Sequence, residues 1–280
     1  MKYSIGEFAS ILGVTADTLR LYEKHDIIRP VKTEHNNYRY FNDLDARNLL
    51  SSRWYRSMQI PLQSVTELIN DAPSKQVVTS IDTAKLQLEA EIKRSTMLLE
   101  KISEIHDELK LISESFGTCR IRQMPGIYRI QQTDKNQLLQ KDRLRRTVHS
   151  WMELLPFTFY SFLIKNPEHI CVDGGLDYSW GLALLESDQK KLDVCLNDCI
   201  EYLQPAACIS SVIVTCWKEN LERAAFQFML DYARENGYTL TGDIYGKILF
   251  TEHVGTVNTT YLEINIPVNL PAERPLNTFC

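Results

Sequence analysis

The sequence predicts an α+β protein with an N-terminal winged helix-turn-helix, a long dimerisation coiled-coil helix and a C-terminal α+β domain with an antiparallel sheet. Three observations support this prediction. Residues 1–75 form short helical patterns separated by Gly and Pro. Residues 76–117 are rich in Lys, Glu and Leu, and positions 76–115 contain neither Gly nor Pro. Residues 118–280 alternate strand-like and helix-like segments, which is typical of helices packed on a sheet.

The overall composition is that of an ordinary folded protein. The chain has 280 residues, 44% hydrophobic and 24% charged, with a formal net charge of −5. No apolar run approaches the ~20 residues of a membrane span, and the first residues lack the apolar core of a signal peptide. We therefore expect a cytoplasmic protein without a membrane partner. The seven cysteines include no CxxC pair, which favours free thiols, although Cys195 and Cys199 are spaced to share a helix face.

The first segment has the pattern of a helix-turn-helix. Ser4 and Glu7 have the spacing of a capping box. The helix that starts there is expected to end at Gly13. Thr15 is placed to cap a second helix, with Leu19 and Tyr22 on its inner face. Two helices joined by a Gly-containing turn are the sequence form of this motif.

A hairpin, or wing, is predicted after the second helix. Pro30 ends that helical region, and 31–41 has β-like residues at its ends with His35-Asn36-Asn37 between them. Asn-Asn suits a tight turn. Asn42 or Asp43 is placed to cap the next helix, and Pro61 marks the start of another.

The second segment carries two apolar series at coiled-coil spacing. The first consists of Leu88, Ile92, Ser95, Leu99 and Ile102, and the second of Leu98, Ile102, Ile105, Leu109, Ile112 and Phe116. A helix of ~40 residues would be ~60 Å long, which exceeds what one small core covers. We therefore predict a homodimer through this helix. The alternative is a single amphipathic helix packed on its own domain.

The third segment predicts strands and helices in two similar rounds. Strands are expected at 119–133 with a break at Pro125-Gly126, and at 157–164, 182–185, 208–216, 245–252 and 261–268. Helices are expected at 138–155 and 219–236, the second ended by Gly237. Two rounds of strand, helix and strands indicate a pseudo-duplicated module.

Two parts of the chain resemble known families. Residues 3–62 resemble the DNA-binding domain of the MerR family through "YSIGEFASILGVTADTLRLYEKHDIIRP", "NNYRYFNDLDARNL" and "SMQIPLQSV". The chain departs from that pattern at Leu21, where an aromatic residue or His is common, and at Asp26, where Gly is usual. Residues 120–270 resemble the gyrase-inhibitor-like effector domain of multidrug-sensing members in their order of elements and in the terminal "YLEINIPV".

The resemblance implies a regulator that binds double-stranded promoter DNA as a dimer. It also implies that the ligand-bound dimer distorts the promoter spacer so that RNA polymerase engages both promoter elements. In a helix-turn-helix the first turns of the second helix face the bases. The DNA-binding positions that this implies are Tyr3, Thr15, Asp17, Thr18, Arg20, Tyr22, Tyr38, Arg39 and Tyr40. The alternative for Tyr22 and Tyr40 is packing between helix and wing.

The C-terminal segment carries aromatic residues and a carboxylate within an apolar strand. Alternation places Tyr261, Glu263 and Asn265 on one face, opposite Leu262 and its neighbours. Glu263 then lies either on a solvent face or at the bottom of an aromatic pocket. In a pocket, a ligand cation would compensate the buried charge and gain ~0.5–2 kcal/mol from each aromatic face. The candidate ligand-binding residues are Glu263, Trp151, Tyr160, Trp180, Tyr245 and Glu252.

The motifs of several enzyme classes are missing from the sequence. It contains no GxSxG, phosphate loop, HExxH or Gly-rich dinucleotide signature, so we predict neither an enzyme nor a cofactor. The predicted ligand is a lipophilic organic cation. The alternatives are a regulator that responds to a metal, to a redox signal, or to a different organic or protein effector.

Overall fold

The computed structural model describes residues 2–32, 38–135, 137–140, 142–165, 176–216, 223–254 and 257–270. The chain divides into two units, Met1–Met97 and Leu98–Cys280. The predicted fold class is confirmed, since helices and an antiparallel sheet both occur in the expected order. Among the described residues, no helix is both long enough and apolar enough to cross a membrane.

The N-terminal unit consists of short helices and a small antiparallel sheet with strand order β1-β3-β2. Its elements are β1 (Tyr3–Ser4), α1 (Ile5–Leu12), α2 (Ala16–Lys24), β2 (Val31–Lys32), β3 (Arg39–Phe41), α3 (Asp43–Ser57), α4 (Leu62–Asn70) and the start of α5 (Ser74–Lys110). The turn of the predicted hairpin, His35-Asn36-Asn37, lies outside the described residues.

Local signals define the first two helices as predicted. The Ser4 side chain accepts from the Glu7 backbone, and the Glu7 carboxylate accepts from the Ser4 backbone at 2.8 Å, which completes the capping box. Gly13 ends α1 at φ +63°, a left-handed conformation that favours glycine. Phe8 stacks on Phe41 with ring centroids 4.7 Å apart, so helix α1 and strand β3 share one core.

Helix α5 presents its two apolar series to different surroundings. Its beginning packs against Ile60, Val65 and Leu68 in the N-terminal unit. Four apolar residues of the first series are exposed in the single chain: Leu88, Ile92, Leu99 and Ile102. In the second series, Ile105, Leu109 and Ile112 line a cavity of the C-terminal unit instead. Part of the second series therefore faces this cavity, whereas its members Leu98 and Phe116 are exposed like the first series.

The C-terminal unit is built on one large antiparallel sheet. Its strands are β4 (Arg120–Met124), β5 (Ile127–Gln131), β6 (Thr133–Asp134), β7 (Gln137–Leu138), β8 (Thr158–Ile164), β9 (Tyr178–Leu185), β10 (Glu201–Leu203), β11 (Ala206–Cys216), β12 (Thr239–Leu240), β13 (Ile244–Val254) and β14 (Val257–Asn269). Its helical elements are α6 (Ile112–Ser115), α7 (Asp142–Met152), α8 (Glu186–Leu192), a 3-10 segment (Arg223–Phe226) and α9 (Gln227–Glu235).

The strand order displays the two predicted rounds. The sheet runs β10-β5-β9-β8-β13-β14-β11-β4, with β12 paired to β14, and β6 and β7 form a separate pair. The sequence β5-α7-β8-β9 and the sequence β11-α9-β13-β14 each place their third strand between the other two. The halves meet where β8 pairs with β13, with Ile164 opposite Ile244.

The two faces of the sheet have different roles. One face carries the helices: Trp151 of α7 packs on Leu182 and Leu184, and Phe226 and Met229 pack on the other half. The opposite face carries Glu263, Lys247, Ser161 and Val212, which are cross-strand neighbours in one row. This second face forms the floor of the cavity described below.

Several predictions of local structure need correction. Cys195 and Cys199 lie after α8 in irregular structure, so they do not share a helix face. Helix α7 spans Asp142–Met152 and not the predicted 138–155, and Leu155 is exposed. Helix α8 and strand β10 were not predicted. Helix α9 is shorter than the predicted 219–236, of which 219–222 lie outside the described residues.

Candidate DNA interface and ligand cavity

The beginning of α2 presents polar groups on an exposed surface. The Thr15 hydroxyl accepts from the Thr18 backbone at 3.1 Å and lies 2.8 Å from the Thr18 hydroxyl. Thr15 is thus the N-cap, and capping satisfies a backbone N–H that would otherwise lack a partner. Both threonines therefore shape the helix start, where Asp17 and Arg20 project outward.

Asp17 and Arg20 form an exposed ion pair one turn apart. The Arg20 Nη1 to Asp17 Oδ1 distance is 2.5 Å, and the Asp17 side chain is 86% exposed. Exposed pairs of this kind contribute little to stability, ~0–1 kcal/mol, because water and salt screen them. Arg20 can therefore exchange Asp17 for a phosphate at small cost.

Glu23 joins helix α2 to the wing strands. Its carboxylate accepts from Arg39 Nε at 2.7 Å, and Lys32 Nζ lies 3.3 Å away on the neighbouring strand. Lys32 and Arg39 are also register partners in the β2–β3 pair. One half-buried acid thus gathers two cations at the base of the hairpin, next to the exposed end of α2.

The predicted tyrosines occupy three environments. Tyr22 is buried in the core of the N-terminal unit, so the structure places it as a packing residue rather than at the surface. Tyr3 and Tyr40 are partly buried, and they lie at neighbouring positions of the β1–β3 pair. Tyr38 is the exposed member of the set.

A cavity of about 810 Å³ lies within the C-terminal unit. It is bounded by the end of α5, by α6 and by the sheet face opposite the two packed helices. Apolar walls come from Ile105, Leu109, Ile112, Phe159 and Ile248. Its volume falls within the range of ~300–1,000 Å³ that is typical of small-molecule sites.

Glu263 is a buried carboxylate on the wall of this cavity. Its side chain is 8% exposed. The carboxylate accepts from Asn265 Nδ2 at 2.9 Å, and Arg122 Nη1 lies 3.5 Å away. Ser210 lies 2.5 Å from the Asn265 oxygen and holds that amide in place. Within the described part of the chain, Glu263 therefore has one short hydrogen bond, which leaves capacity for a ligand donor or cation.

Sequence reasoning missed three residues beside Glu263. Arg122 is its ion-pair partner, and Phe159 and Lys247 line the same cavity. Lys247 Nζ lies 5.5 Å from the centroid of the Phe159 ring and 2.5 Å from Glu108 Oε1 of α5. The signal for Lys247 was its place two residues after Tyr245 in an apolar strand, but only strand pairing shows that it faces Glu263.

Two predicted ligand-binding residues lie at the cavities. Tyr160 borders the large cavity, but it is the register partner of Leu182 on the helix-bearing face, where its ring stacks on Trp180. Tyr245 lines a smaller one that shares Phe159, Lys247 and Glu263 with it, and its hydroxyl is 3.6 Å from Cys208 Sγ. Burial raises the pKa of both tyrosines, so both phenols are neutral at ordinary pH.

The other three predicted wall residues do not line the large cavity. Trp151 is fully buried between α7 and the helix-bearing face of the sheet. Trp180 packs toward the core under α9, although its ring stacks on Tyr160 at 5.7 Å. Glu252 is exposed and accepts from Tyr261 at 3.4 Å, beyond the irregularity in the β13–β14 register. Their places on the sheet faces, not their residue types, decide this outcome.

Arg129 is a second buried charge in this unit, and it is fully engaged. Its guanidinium donates to the Ser161 hydroxyl at 3.1 Å, to the Ser179 carbonyl at 2.8 Å, to the Ser179 hydroxyl at 3.0 Å and to Glu201 at 3.3 Å. Burial lowers the pKa of Arg129, and Glu201 opposes that change. Among the described residues, no group of three His, Cys, Asp or Glu is placed to hold a metal ion.

Comparison with known proteins identifies the N-terminal unit. Residues 3–72 match the family described as MerR HTH family regulatory protein. The ZntR homolog of Haemophilus influenzae, an HTH-type transcriptional regulator, is 30% identical over 109 residues, which are 39% of this chain and 77% of that protein. The HTH-type transcriptional activator TipA of Streptomyces coelicolor is 34% identical over 71 residues, which are 25% of this chain but only 28% of TipA.

The fold and the exposed start of α2 define a helix-turn-helix regulatory protein. With the identity and coverage shared with the ZntR homolog, the chain belongs to the MerR family of transcription regulators. A cryo-EM structure of an EcmrR–DNA complex covers 96% of this chain at 14% identity, with a TM-score of 0.37. A superposition this weak adds nothing to the assignment.

Proposed function

We propose that this protein is a ligand-responsive transcription regulator that binds promoter DNA as a dimer and activates transcription when a lipophilic cation enters the C-terminal cavity. The observation that carries the proposal is a buried carboxylate in a large, partly aromatic cavity, in the same chain as a MerR-family helix-turn-helix. The first feature supports the ligand class, and the second supports the regulatory role.

The exposed surface of α2 and the wing supports the DNA-binding part. Arg20 follows the helix start, and Lys32 and Arg39 lie on the neighbouring hairpin. Cations on such elements contact phosphates and position the protein, while the first turns of α2 read base edges. Their present partners, Asp17 and Glu23, offset two of these three positive charges.

The exposed face of α5 supports the dimer. Leu88, Ile92, Leu99 and Ile102 repeat along one side of a continuous helix, and apolar residues at this spacing bury one another in a coiled coil. Leu99→Asp with Ile102→Asp is expected to yield monomers in light scattering and to abolish tight operator binding. Dimers of unchanged stability would place the interface elsewhere. Leu138→Asp, at another highly exposed leucine, is the matched control.

The charge and shape of the cavity support a cationic ligand. A buried carboxylate is costly unless a partner compensates it, and Arg122 is mostly exposed and 3.5 Å away. A ligand cation near Glu263 would supply that compensation, and Phe159 offers a ring face. Such a site selects by charge and apolar area rather than by one exact shape.

The proposed activation is a shift between two dimer shapes. A ligand shifts such an equilibrium only by its difference in affinity for the two shapes. Bending and untwisting a promoter spacer costs energy that protein–DNA contacts must supply. The ligand-bound shape would be the one in which these contacts fit the distorted spacer, so that RNA polymerase engages both promoter elements.

A ligand-binding experiment tests the proposal. Tetraphenylphosphonium, the neutral triphenylphosphine oxide, zinc and copper are each added to the full chain, and the melting temperature is followed. The cation is expected to raise it, because a ligand stabilises by RT ln(1 + [L]/Kd). A response only to a metal, or equal responses to the cation and the neutral probe, would contradict the proposed ligand class.

A further inference from the structure

Lys247 places a protein cation inside the proposed ligand cavity. Its ammonium lies 5.5 Å from the centroid of the Phe159 ring, within the ~6 Å over which a ring face attracts a cation. Lys247 and Glu263 are register partners on β13 and β14. Side chains directly opposite one another in such a pair have Cβ atoms about 4.5–5.5 Å apart. The lysine therefore occupies the region where the Phe159 face and the Glu263 carboxylate would both act on a ligand.

The same ammonium is bonded to helix α5. Lys247 Nζ lies 2.5 Å from Glu108 Oε1, in the last turn of that helix, and the lysine side chain is 23% exposed. A flexible four-carbon stem and partial exposure allow the ammonium to move to water. A ligand that takes its place over Phe159 would break this bond and leave the Glu108 carboxylate without its lysine.

A second ion pair that involves helix α5, formed by Lys101, shows what a fixed contact looks like. Lys101 Nζ lies 2.7 Å from Asp188, and the side chains are 9% and 4% exposed. Removing one partner from a buried pair is strongly unfavourable, since the other charge stays buried. Lys101–Asp188 is therefore a permanent attachment of α5 to the sheet domain, whereas Lys247–Glu108 is exposed enough to exchange.

We propose that Lys247 is a specificity-determining residue that holds the place of a ligand cation over Phe159, and that a cationic ligand displaces it and thereby releases Glu108 of α5. This inference rests on the proposed function and names the regulation of that site. It assigns Lys247 two effects: it weakens the binding of every cation through competition, and it links occupancy of the cavity to the end of α5.

The direct test compares tetraphenylphosphonium binding to the wild type and to Lys247→Met. Methionine keeps the chain length and apolar contacts but removes the competing charge. We expect the affinity for this cation to rise roughly threefold to thirtyfold, in line with the strength of one cation–π contact. Triphenylphosphine oxide should bind both proteins about equally. Lys247→Arg keeps a cation over the ring and should bind tetraphenylphosphonium no better than the wild type.

Lys190→Met is the matched control, because Lys190 pairs with Glu186 at 2.6 Å and does not line the cavity. It should leave cation affinity unchanged. If a folded Lys247→Met protein binds the cation no more tightly than the wild type, the inference is overturned. The proposed function still stands in that case, provided that the wild type binds the cation. If the wild type binds no tetraphenylphosphonium, the cationic ligand class fails and this inference fails with it.

Hydrogen exchange provides the second readout. In the wild type, tetraphenylphosphonium is expected to reduce amide protection in the last turn of α5, around Glu108, but not around Lys101. Glu108→Gln breaks the same ion pair without touching Phe159, so it should show reduced protection before ligand is added. Equal amide protection around Glu108 in the free wild type, in the ligand-bound wild type and in Glu108→Gln would overturn the proposed link between the cavity and α5. This variant also tests the proposal if Lys247→Met does not fold.

Discussion

The two units of the chain differ in the burial of their charged side chains and in the partners that compensate them. In the N-terminal unit, Arg20 is exposed and Arg39 is partly exposed, and each lies beside one carboxylate. In the C-terminal unit, Arg129 is completely buried among four acceptor atoms, and Glu263 is buried with one short hydrogen bond. The first arrangement leaves cations exchangeable. In the second, Arg129 is fully engaged, whereas Glu263 has spare capacity.

The difference separates structural charges from binding charges. An exposed ion pair is worth ~0–1 kcal/mol, so a phosphate replaces its carboxylate at little cost. A buried charge must be compensated in the folded protein itself. Arg129 meets that condition with protein groups alone, so we interpret it as structural. Glu263 meets it only in part, so we interpret it as a ligand contact.

The largest expected effect is that of Arg129→Met on stability. The substitution leaves the Ser179 carbonyl, the Ser161 hydroxyl and Glu201 without their guanidinium. We expect the C-terminal unit to lose about 3 kcal/mol of unfolding free energy, the scale for breaking a buried charged network from one side. Urea unfolding followed by tryptophan fluorescence measures this, since Trp151 and Trp180 lie in that unit.

Arg39→Met is the control for this effect, since its guanidinium is partly exposed and has one acid partner. It should change stability by less than about 1 kcal/mol. Equal losses of unfolding free energy for Arg129→Met and Arg39→Met would remove the distinction between exchangeable and structural cations.

The second effect is that of Glu263→Gln on ligand affinity. Glutamine keeps the shape and can still bond Asn265, but it removes the charge. Binding of tetraphenylphosphonium should fall about 10- to 100-fold, the range for one interaction with a charged group. Calorimetry with the cation and with triphenylphosphine oxide measures the difference.

Three observations decide the role of Glu263. Glu263→Gln should bind triphenylphosphine oxide almost as tightly as the wild type does. Its DNA affinity without ligand should barely change. Equal losses for both probes would make Glu263 structural, like Arg129. If neither probe is affected and Glu252→Gln removes the preference for the cation, the charge argument holds but applies to the other strand.

Local signals predicted part of this fold, and pairing between distant segments determined the rest. The Ser4–Glu7 capping box and the Gly13 helix end depend on neighbours in sequence, so they could be read directly. Helix α8 has no side-chain cap at Leu185, so its start lacks the capping signal that marks α1. The buried pairing of Lys101 with Asp188 joins residues far apart in the chain, which no periodicity reveals.

The candidate cavity shows the same division. Alternation in β14 correctly separated Glu263 from Leu262, because the period of a strand is local. Lys247 and Phe159 became visible only when β13 was found between β8 and β14. Trp151 was assigned to the pocket for its aromatic ring, but it packs with Leu144 and Val148 on the buried face of α7.

The third effect is that of Arg39→Ala on DNA binding. We expect weaker binding to every duplex and a slope of log affinity against log salt that is smaller by about 1, because one fewer phosphate is neutralised. Fluorescence anisotropy with a duplex selected by the wild type, and with a scrambled duplex, measures both quantities. An unchanged slope would mean that Glu23 holds Arg39 too firmly for exchange. Glu23→Gln would then be expected to restore the missing contact.

The smallest effect, and the one that tests the exchange argument most directly, is that of Asp17→Asn. Asp17 competes with phosphate for Arg20, so removing its charge should strengthen binding to all duplexes by a fewfold at low salt. The gain should shrink as salt is raised, since screening weakens exposed charges. Asp231→Asn is the control, because Asp231 and Arg234 form a similar pair at the same spacing and 2.5 Å in the other unit. It should not alter DNA binding. A loss of affinity for one sequence only, with other duplexes unaffected, would instead make Asp17 a base-reading residue that accepts from a base amine.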